Sequence, residues 1–322
     1  MSITIHKYKK EDLDNWENFI VVANNGTLFH QRQFINYHPK GKFIDHSLIF
    51  KKKGNIICVL PATIVKTNNA KMLISHPGTS IGSFVIKEQL SFKDSIEIVK
   101  RLSEYSSSLH LDSIKLIQPP QVYYKYPTNY IDFSLRKEGY SYLNRELSSY
   151  IKLNNNIDDI LLRFKSTHRT ALRKAEKSGV QITISEQFGK FYKILKNNLS
   201  KRHNVQPTHK LNEIQKLKTM FPEKIFLFAA YLNNKIIAGV IIFILNDRVV
   251  LAFYISHDKK YEALRPLNLL MYSIITWCID KKYKIFDFGT FTLNEKPNLG
   301  LARFKEYFGA AGIFRDSLEK RL

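Results

Sequence analysis

The chain has 322 residues, of which 50 are Lys or Arg and 28 are Asp or Glu, so its formal net charge is +22. Its 44% hydrophobic and 24% charged residues are typical of a globular protein and exclude a disordered basic tail. The length predicts two domains, each large enough for its own core. Only two cysteines occur and no apolar run reaches the roughly 18 residues of a membrane span. We therefore expect a cytoplasmic protein with an anionic partner, no disulfide framework, no bound metal and no transmembrane segment.

The first half of the chain alternates strand and helix patterns. Trp16 lies in the first amphipathic helix, and Gly54-Asn55 between two β-rich runs predicts a hairpin. The predicted strands are 2–6, 46–53, 55–66, 71–76 and 113–117, and the predicted helices lie around 13–20 and 91–109.

The second half repeats this order of elements. Its predicted elements are strands 224–232, 235–245 and 248–257, a helix over 266–281 and a strand over 284–288. The hairpin turns at 54 and 233, the helices at 91 and 266 and the last strands at 113 and 284 are offset by 179, 175 and 171 residues. Offsets of this size indicate a duplicated domain. The plan is α+β, with predicted domains 1–145 and 146–322.

Positive charge is concentrated before the second group of strands. Residues 163–218 contain 14 basic and three acidic side chains, which is half of the total excess. The predicted elements here are helices 157–164 and 167–178, a strand over 180–185, and helices 187–201 and 211–220.

One helix in this region carries a basic stripe. Basic residues recur every four positions from Lys165 to Lys177, and like charges at this spacing repel by about 0.2–0.5 kcal/mol per pair. A helix that keeps them is typical of one that faces phosphate or another polyanion. The alternative is a solvated face, with Leu172 and Ala175 packed inward. The candidate anion-binding residues are Lys165, Arg169, Arg173 and Lys174.

A second group of candidates lies near the C-terminus. Asp287 comes at the end of a predicted strand and is followed by Gly289, which places a carboxylate where catalytic groups are common. In the next short helix, Lys305 lies at the edge of the apolar face. Such a lysine can stabilise negative charge that develops on a carbonyl oxygen. The alternative, which helical periodicity alone favours, is a surface lysine that extends its ammonium to water.

Two motifs resemble a known family. The run from His168 to Val180 resembles the basic helix that opens the second domain of Fem-type transferases. Phe286-Asp-Phe-Gly, followed by Gly300-Leu-x-x-Phe-Lys-x-x-Phe-Gly, is similar to the C-terminal signature of this FemAB-like group of the GNAT acyltransferase superfamily. The resemblance covers about residues 145–315. It implies tandem GNAT-like domains, each a mostly antiparallel twisted sheet flanked by helices, that transfer an acyl or aminoacyl unit to an amine.

The resemblance also implies roles for individual residues. Phe304 and Lys305 match the Phe-Lys pair at the transfer centre of the group. Lys305 would then stabilise the oxyanion of the tetrahedral intermediate, and Asp287 would orient the acceptor or relay its proton. Tyr254 and Arg265 are further candidates for substrate contacts. No permanently bound cofactor is implied, and acyl-CoA or aminoacyl-tRNA would serve as co-substrate.

One departure from the superfamily bears on the donor. Acetyl-CoA enzymes of the GNAT type carry a glycine-rich loop whose N–H groups hold pyrophosphate, but residues 257–266 contain no glycine. A standard CoA site is disfavoured here, although Lys259, Lys260 and Arg265 could bind phosphates through their side chains.

The predicted function is transfer of an acyl group from acyl-CoA to an amino group of a cell-envelope or polysaccharide precursor. The first alternative is aminoacyl-tRNA-dependent addition of an amino acid to a peptidoglycan precursor. The second is non-catalytic polyanion binding, with nucleic acid or an anionic membrane surface as partner. A separate run, Tyr123-Tyr-Lys-Tyr-Pro127, is typical either of a surface that stacks on bases or sugars or of a packing segment between domains.

Overall fold

The computed structural model describes residues 2–67, 69–154, 156–203 and 206–322, and for residues 201–203 the backbone only. The chain forms two compact units. The first consists of Met1–Leu147, Leu293–Lys296 and Ile313–Leu322, and the second of Ser148–Thr292 and Pro297–Gly312. Two segments that the predicted boundary assigned to the second domain therefore pack with the first unit, because the C-terminal strand pairs with a strand of that unit.

The first unit carries two sheets. Its strands are β1 (Thr4–Lys7), β2 (Leu48–Lys52), β3 (Asn55–Leu60), β4 (Ala62–Lys66), β5 (Lys71–Ser75), β6 (Val85–Ile86), β7 (Ser113–Ile117), the first part of β8 (Ser141–Lys152) and most of β16 (Ala311–Arg321). Its α-helices are α1 (Leu13–Val22), α2 (Arg32–Ile35), α3 (Phe92–Ser108) and α4 (Tyr130–Lys137), and its 3₁₀ turns are Lys10–Asp12, Leu28–His30 and Gln121–Tyr123. One sheet has the order β1-β2-β3-β6, and the other runs β4-β5-β7-β16-β8. Strands β5 and β7 are parallel, whereas β1-β2-β3-β6, β4-β5 and β7-β16 pair antiparallel.

One predicted strand of the first unit is in fact two. The run over 55–66 was expected to continue through Pro61, but β3 ends at Leu60 and β4 begins at Ala62. Proline has no N–H group to donate to a ladder and so interrupts a central strand. The two halves consequently join different sheets of the unit.

The second unit contains one sheet and six α-helices among its described residues. Its helices are α5 (Ile157–Arg163), α6 (Ser166–Lys177), α7 (Phe188–His203), α8 (Leu211–Met220), α9 (Pro266–Asp280) and α10 (Leu299–Glu306), with a 3₁₀ helix at Lys259–Leu264. Its strands are the end of β8, β9 (Gln181–Ser185), β10 (Ile225–Leu232), β11 (Lys235–Ile244), β12 (Val249–His257) and β13 (Ile285–Thr290). A separate two-stranded hairpin follows, β14 (Thr292–Leu293) and β15 (Lys296–Pro297), of which Leu293 and Lys296 belong to the first unit. The sheet order is β8-β13-β12-β11-β10-β9, and only β12 and β13 are parallel.

The core of the second unit lies between this sheet and its helices. Buried side chains of α9, including Leu270, Ile274 and Cys278, pack with buried residues of β11 and β12. Leu172 and Ala175 of α6 join the same core, as the apolar positions of that helix predict. Each unit therefore combines a mostly antiparallel sheet with packed helices, and the predicted α+β class is confirmed. Among the described residues, no helix is both long enough and apolar enough to cross a membrane.

Candidate active site

Strands β12 and β13 part at the centre of the second unit. They pair from Val249–Ile285 to Leu251–Asp287, although each continues beyond its last partner. Just past this point β12 has a bulge, where its register with β11 skips Phe253. Bulges re-aim side chains and end pairing, and they are frequent next to active sites. The ladder between β12 and β13 therefore ends at Asp287.

Hydrogen bonds hold the Asp287 carboxylate in a buried position at the end of this ladder. It is fully buried, and its Oδ1 accepts hydrogen bonds from the Ser148 hydroxyl at 2.9 Å and from the Gly289 N–H at 2.6 Å. Gly289 has φ +77°, a left-handed conformation that favours glycine. The sequence Asp-Phe-Gly therefore turns the chain sharply as it leaves β13.

Lys305 is buried, so the interpretation as a surface lysine is wrong. Its side chain is 1% exposed, and its Nζ donates to the carbonyl oxygens of Gly289 at 2.7 Å and Thr290 at 2.8 Å. These carbonyls satisfy an ammonium group that helical periodicity alone would place in water. Asp287 and Lys305 therefore hold the N–H and the C=O group of the same glycine.

A cavity of about 600 Å³ lies in the second unit beside helix α10. Its walls come from α6, α7, the end of β12, the start of α9 and the start of α10, and its lining includes His168, Asn198, Ser256, Arg265, Asn268 and Phe304. Asn298 also lines it and caps α10, because its Oδ1 accepts from the Leu301 N–H at 3.0 Å. Since Phe304 and Lys305 are consecutive, α10 links the cavity to the buried ammonium group.

The residues at the start of α9 add polar groups to the cavity wall. Pro266 occupies the first turn, and Arg265 before it has φ +58°, which a non-glycine residue adopts at a cost of about 1–2 kcal/mol. Asn268 is only 6% exposed, and its Nδ2 has no hydrogen-bond partner among the described residues. A buried amide without a partner is costly, and a helix N-terminus attracts anions. A negatively charged ligand oxygen in the cavity could accept a hydrogen bond from the Asn268 amide and would also be attracted to the N-terminus of α9.

His168 also faces this cavity, where it contacts aromatic rings. Its ring centroid lies 4.5 Å from that of Phe308 and 5.7 Å from that of Phe304. Burial is the main cause that lowers the pKa of His168, the positive charge of Arg265 lowers it further, and a backbone hydrogen bond to Phe304 partly opposes both. The imidazole is accordingly held in its neutral form near pH 7.

A 3₁₀ helix replaces the glycine-rich loop between β12 and α9. It begins after Asp258, whose Oδ1 accepts from the Lys260 N–H at 3.1 Å. Of the three side chains expected to bind phosphate here, only Arg265 lines the cavity, and Glu262 adds a carboxylate to the same wall. Lys259 is exposed outside the lining.

Tyr254 lies apart from the residues that line the cavity. Its hydroxyl accepts from the His209 N–H at 3.1 Å and is 3.1 Å from His209 Nδ1. Burial raises the pKa of Tyr254 to about 12. Among the described residues its hydroxyl is thus tied to the segment that precedes α8.

The basic stripe on α6 divides into two kinds of residue. Arg169 is half-buried, and its Nη1 donates to the carbonyl oxygen of Phe164 at 2.6 Å, at the end of α5. Lys165 is the N-cap residue of α6, and its backbone N–H donates to the Tyr307 carbonyl at 2.9 Å. Arg173 and Lys174 are exposed.

The structure thus brings together some of the predicted residues. Phe304 and Arg265 line one cavity, and Lys305 and Asp287 meet at Gly289. His168 and Asn268 were not singled out, because one aromatic-flanked histidine and one asparagine early in a helix are common in core positions. Among the described residues, no three or more His, Cys, Asp and Glu side chains lie close enough to hold a metal ion.

Comparisons with known proteins agree with this geometry. Residues 163–306 match the model of the acetyltransferase (GNAT) domain, and this stretch contains the parted strands, most of the cavity lining and Lys305. The crystal structure of FemX superposes with a TM-score of 0.76 at 12% identity, over 99% of this chain and 97% of FemX. L-PGS from Bacillus licheniformis gives 0.61 at 13% identity, over 98% and 93% of the two chains.

A third structure, a tandem GNAT protein from the clavulanic acid biosynthesis pathway, gives a TM-score of 0.55 at 7% identity, over 99% of this chain and 98% of the other. No curated protein matches the sequence significantly. The fold is therefore that of tandem GNAT-like proteins, and the family match over residues 163–306 confirms the GNAT part of the predicted resemblance. The family match over residues 163–306 supports acyl transfer.

Proposed function

We propose that the second unit transfers an acyl group from acyl-CoA to an amino group of a cell-envelope or polysaccharide precursor. The parting of β12 and β13 at Asp287 carries this proposal, because an extended thioester arm can enter between two strands whose pairing has ended. The cavity of about 600 Å³ has the size of a small-molecule site.

The polar wall of the cavity supports binding of the donor's phosphates. Arg265 supplies a guanidinium group that can pair with phosphate oxygens. The N-terminus of α9 and the unpartnered Nδ2 of Asn268 add neutral donors to the same wall. This arrangement uses side chains and a helix terminus in place of a glycine-rich loop.

The chemistry follows from the buried charges at the strand end. The acceptor amine attacks the acyl carbon, a C–N bond forms, and the carbonyl oxygen becomes an oxyanion. Lys305 stabilises that oxyanion, and Asp287 orients the amine or takes its proton as the C–S bond breaks and the thiolate leaves. Phe304 positions the acyl group against the cavity wall.

Binding experiments with the two donor classes test this proposal. We expect saturable binding of acetyl-CoA by calorimetry, and a roughly tenfold weaker Kd for Arg265→Gln, which keeps a non-glycine residue at the strained position but removes the charge and one charge-assisted contact. Lys259→Gln, outside the cavity lining, is the matched control and should bind as wild type. Retention of charged tRNA with no binding of acetyl-CoA would overturn the choice of donor.

Aminoacyl-tRNA-dependent transfer is the second candidate. Two observations favour it: FemX gives the TM-score of 0.76, and the loop before α9 forms a 3₁₀ helix without glycine. In that case the basic stripe of α6 would contact the tRNA backbone. Binding of tRNA that falls steeply with salt, together with transfer of a labelled amino acid, would support this candidate. Salt-dependent binding without transfer from either donor would support a polyanion-binding protein instead.

A further inference from the structure

The first unit exposes an apolar patch that the transfer reaction does not use. Its members are large side chains that are each 42% to 69% exposed: Val21, Val22, Phe92, Tyr126, Tyr130 and Phe133. Single exposed apolar residues are normal on protein surfaces, whereas a group of them marks an interaction site.

Three of these side chains form one group of aromatic rings: Phe92, Tyr130 and Phe133. Phe92 lies between the other two rings of its group, with its centroid 5.3 Å from that of Tyr130 and 5.4 Å from that of Phe133. These three rings line a depression of about 630 Å³ together with Pro127. Pro127 directly follows Tyr126 in the sequence.

Hydrogen bonds attach the two valines to the same surface. Lys125 Nζ donates to the carbonyl oxygens of Val21 and Val22 at 3.4 and 3.3 Å. Tyr126 exchanges hydrogen bonds with the Asn24 side chain, at 2.8 Å to its Oδ1 and 2.9 Å from its Nδ2. The end of α1 and the segment before α4 are thereby held side by side, and the six side chains form the aromatic patch.

Three lysines are close in sequence to the exposed rings. Lys93 follows Phe92, Lys125 precedes Tyr126, and Lys137 is one helical turn after Phe133. Three acidic side chains of α3 and of the residue after α4 form ion pairs: Asp94 with Lys52 at 2.6 Å, Glu97 with Arg101 at 2.8 Å and Glu138 with Lys320 at 3.7 Å.

Asp132 is the acidic residue between Tyr130 and Phe133. It is half-buried, its Oδ2 accepts from the Gln121 amide at 3.1 Å, and burial raises its pKa. The charge that the patch presents to solvent is therefore mainly positive.

We propose that the aromatic patch and its lysines dock the first unit on an anionic membrane surface. Aromatic side chains partition into the interfacial region of a bilayer, and each lysine near an anionic surface adds to the attraction. Residues 1–147 contain 20 basic and 13 acidic side chains, and this positive excess favours the same partner. This property is independent of the donor and of the transfer chemistry in the second unit.

The aromatic run Tyr123–Pro127 does not offer the stacking surface that its composition suggests. Tyr123 and Tyr124 are core residues, and the Tyr123 hydroxyl accepts from Arg315 Nη2 at 2.8 Å. Of the three tyrosines, only Tyr126 is exposed. The rings that remain accessible come from three separate segments and form a wide surface, which suits a membrane interface better than a row of stacked bases.

Vesicle co-sedimentation of the full chain tests the proposal. We expect binding to vesicles of equal parts phosphatidylglycerol and phosphatidylcholine, and weak binding to pure phosphatidylcholine. The double variant Phe92→Ser/Phe133→Ser should bind at least on the order of tenfold more weakly. Lys93→Gln/Lys137→Gln should reduce binding on the order of 30-fold at low salt. All four positions are exposed, so circular dichroism should show wild-type folding.

Matched controls outside the aromatic patch make the test specific. Ile44→Ser removes an apolar side chain of the first unit that is more exposed than Phe92 and Phe133, and Lys40→Gln/Lys66→Gln removes two exposed lysines. Both controls should bind anionic vesicles as wild type. Equal binding of wild type to both vesicle types, or equal losses in patch and control variants, would overturn the proposal. So would light scattering that shows a dimer which only the patch variants lose, because the partner would then be a second copy of the chain.

Discussion

At the scale of single residues, the centre of the second unit is organised around Gly289. Its N–H donates to Asp287, its C=O accepts from Lys305, and its positive φ turns the chain away from β13. Both charged side chains are buried, and a buried charge is tolerated when hydrogen bonds or an opposite charge compensate for it. The same contacts that stabilise this turn therefore fix the two groups proposed to act on the acyl carbonyl and the amine.

Replacing Lys305 should affect both stability and turnover. For Lys305→Ala we expect kcat to fall by about 100-fold or more, and the free energy of unfolding to fall by about 2–3 kcal/mol, because the carbonyl oxygens of Gly289 and Thr290 lose a buried, charged donor. Urea denaturation and steady-state kinetics at a temperature where the variant is folded measure the two effects. Ser148→Ala is the matched control: it removes one hydrogen bond to Asp287 and should cost about 1 kcal/mol with little change in kcat. A folded Lys305→Ala variant with wild-type kcat would contradict the oxyanion role.

At the scale of elements, helix α6 combines packing and charge. Leu172 and Ala175 face the core, whereas Arg173 and Lys174 face solvent. Arg169 lies on the predicted basic stripe, but it also satisfies a backbone carbonyl that α5 leaves open at its C-terminus. The four-residue spacing of the basic residues predicts that their side chains share one face of α6. It does not reveal that α5 ends next to Arg169.

Arg169 and Arg173 should therefore differ in what they contribute. Arg169→Ala should lower the free energy of unfolding by about 1 kcal/mol, because the Phe164 carbonyl loses a charge-assisted hydrogen bond. Arg173→Ala, at an exposed position of the same stripe, should leave stability within about 0.5 kcal/mol of wild type. Chemical denaturation of both variants measures this difference in the free energy of unfolding. Equal stability of the two variants, with equal loss of polyanion binding, would assign both residues to a binding surface only.

Much of the fold could be predicted from the sequence, because most of its strands and helices have a clear hydrophobic period. Helix α8 and strand β7 have the predicted bounds, and the order of elements in the second half is as expected. Strands β8 and β16 were missed. Most of their residues are only partly buried or exposed, so neither shows the alternation that marks a strand.

The candidate site could be predicted only in part. Asp287 and Lys305 were found through a motif, but the burial of Lys305 depends on two carbonyls of a turn that periodicity does not describe. Asn268 lies on the cavity wall because α9 starts there, and its missing partner is visible only in three dimensions.

At the scale of the whole molecule, stability should depend on pH through buried histidines. His30 is fully buried, and its Nδ1 accepts from the Thr27 N–H, so Nε2 carries the proton that is donated to the Gly82 carbonyl. Burial lowers the pKa of His30 to about 4, and the pKa of His76 in the same unit is also about 4 for the same main cause. Both rings are therefore neutral in the folded state, whereas the unfolded chain takes up protons below about pH 6.5.

The sign of the pH dependence follows from these values. Because the unfolded state binds more protons between pH 6.5 and 4, the free energy of unfolding should fall as pH drops through this window, by up to about 3 kcal/mol for His30. Urea denaturation at pH 7.5 and pH 5 measures the loss. His30→Gln should be less stable at pH 7.5 but should show a smaller decrease toward pH 5. A wild-type stability that is constant from pH 7.5 to pH 4.5 would refute this assignment.

The path of the chain through the first unit has a consequence for how the protein is made. Strand β16 lies between β7 and β8 in the sheet order, and its residues follow those of the second unit in the sequence. Domains generally fold in the order in which they leave the ribosome, but here the first unit lacks one strand of its sheet until residues 313–322 emerge. During synthesis β7 therefore presents an unpaired edge, which is a template for association with other chains. The second unit, with the proposed transfer site, completes its residues first.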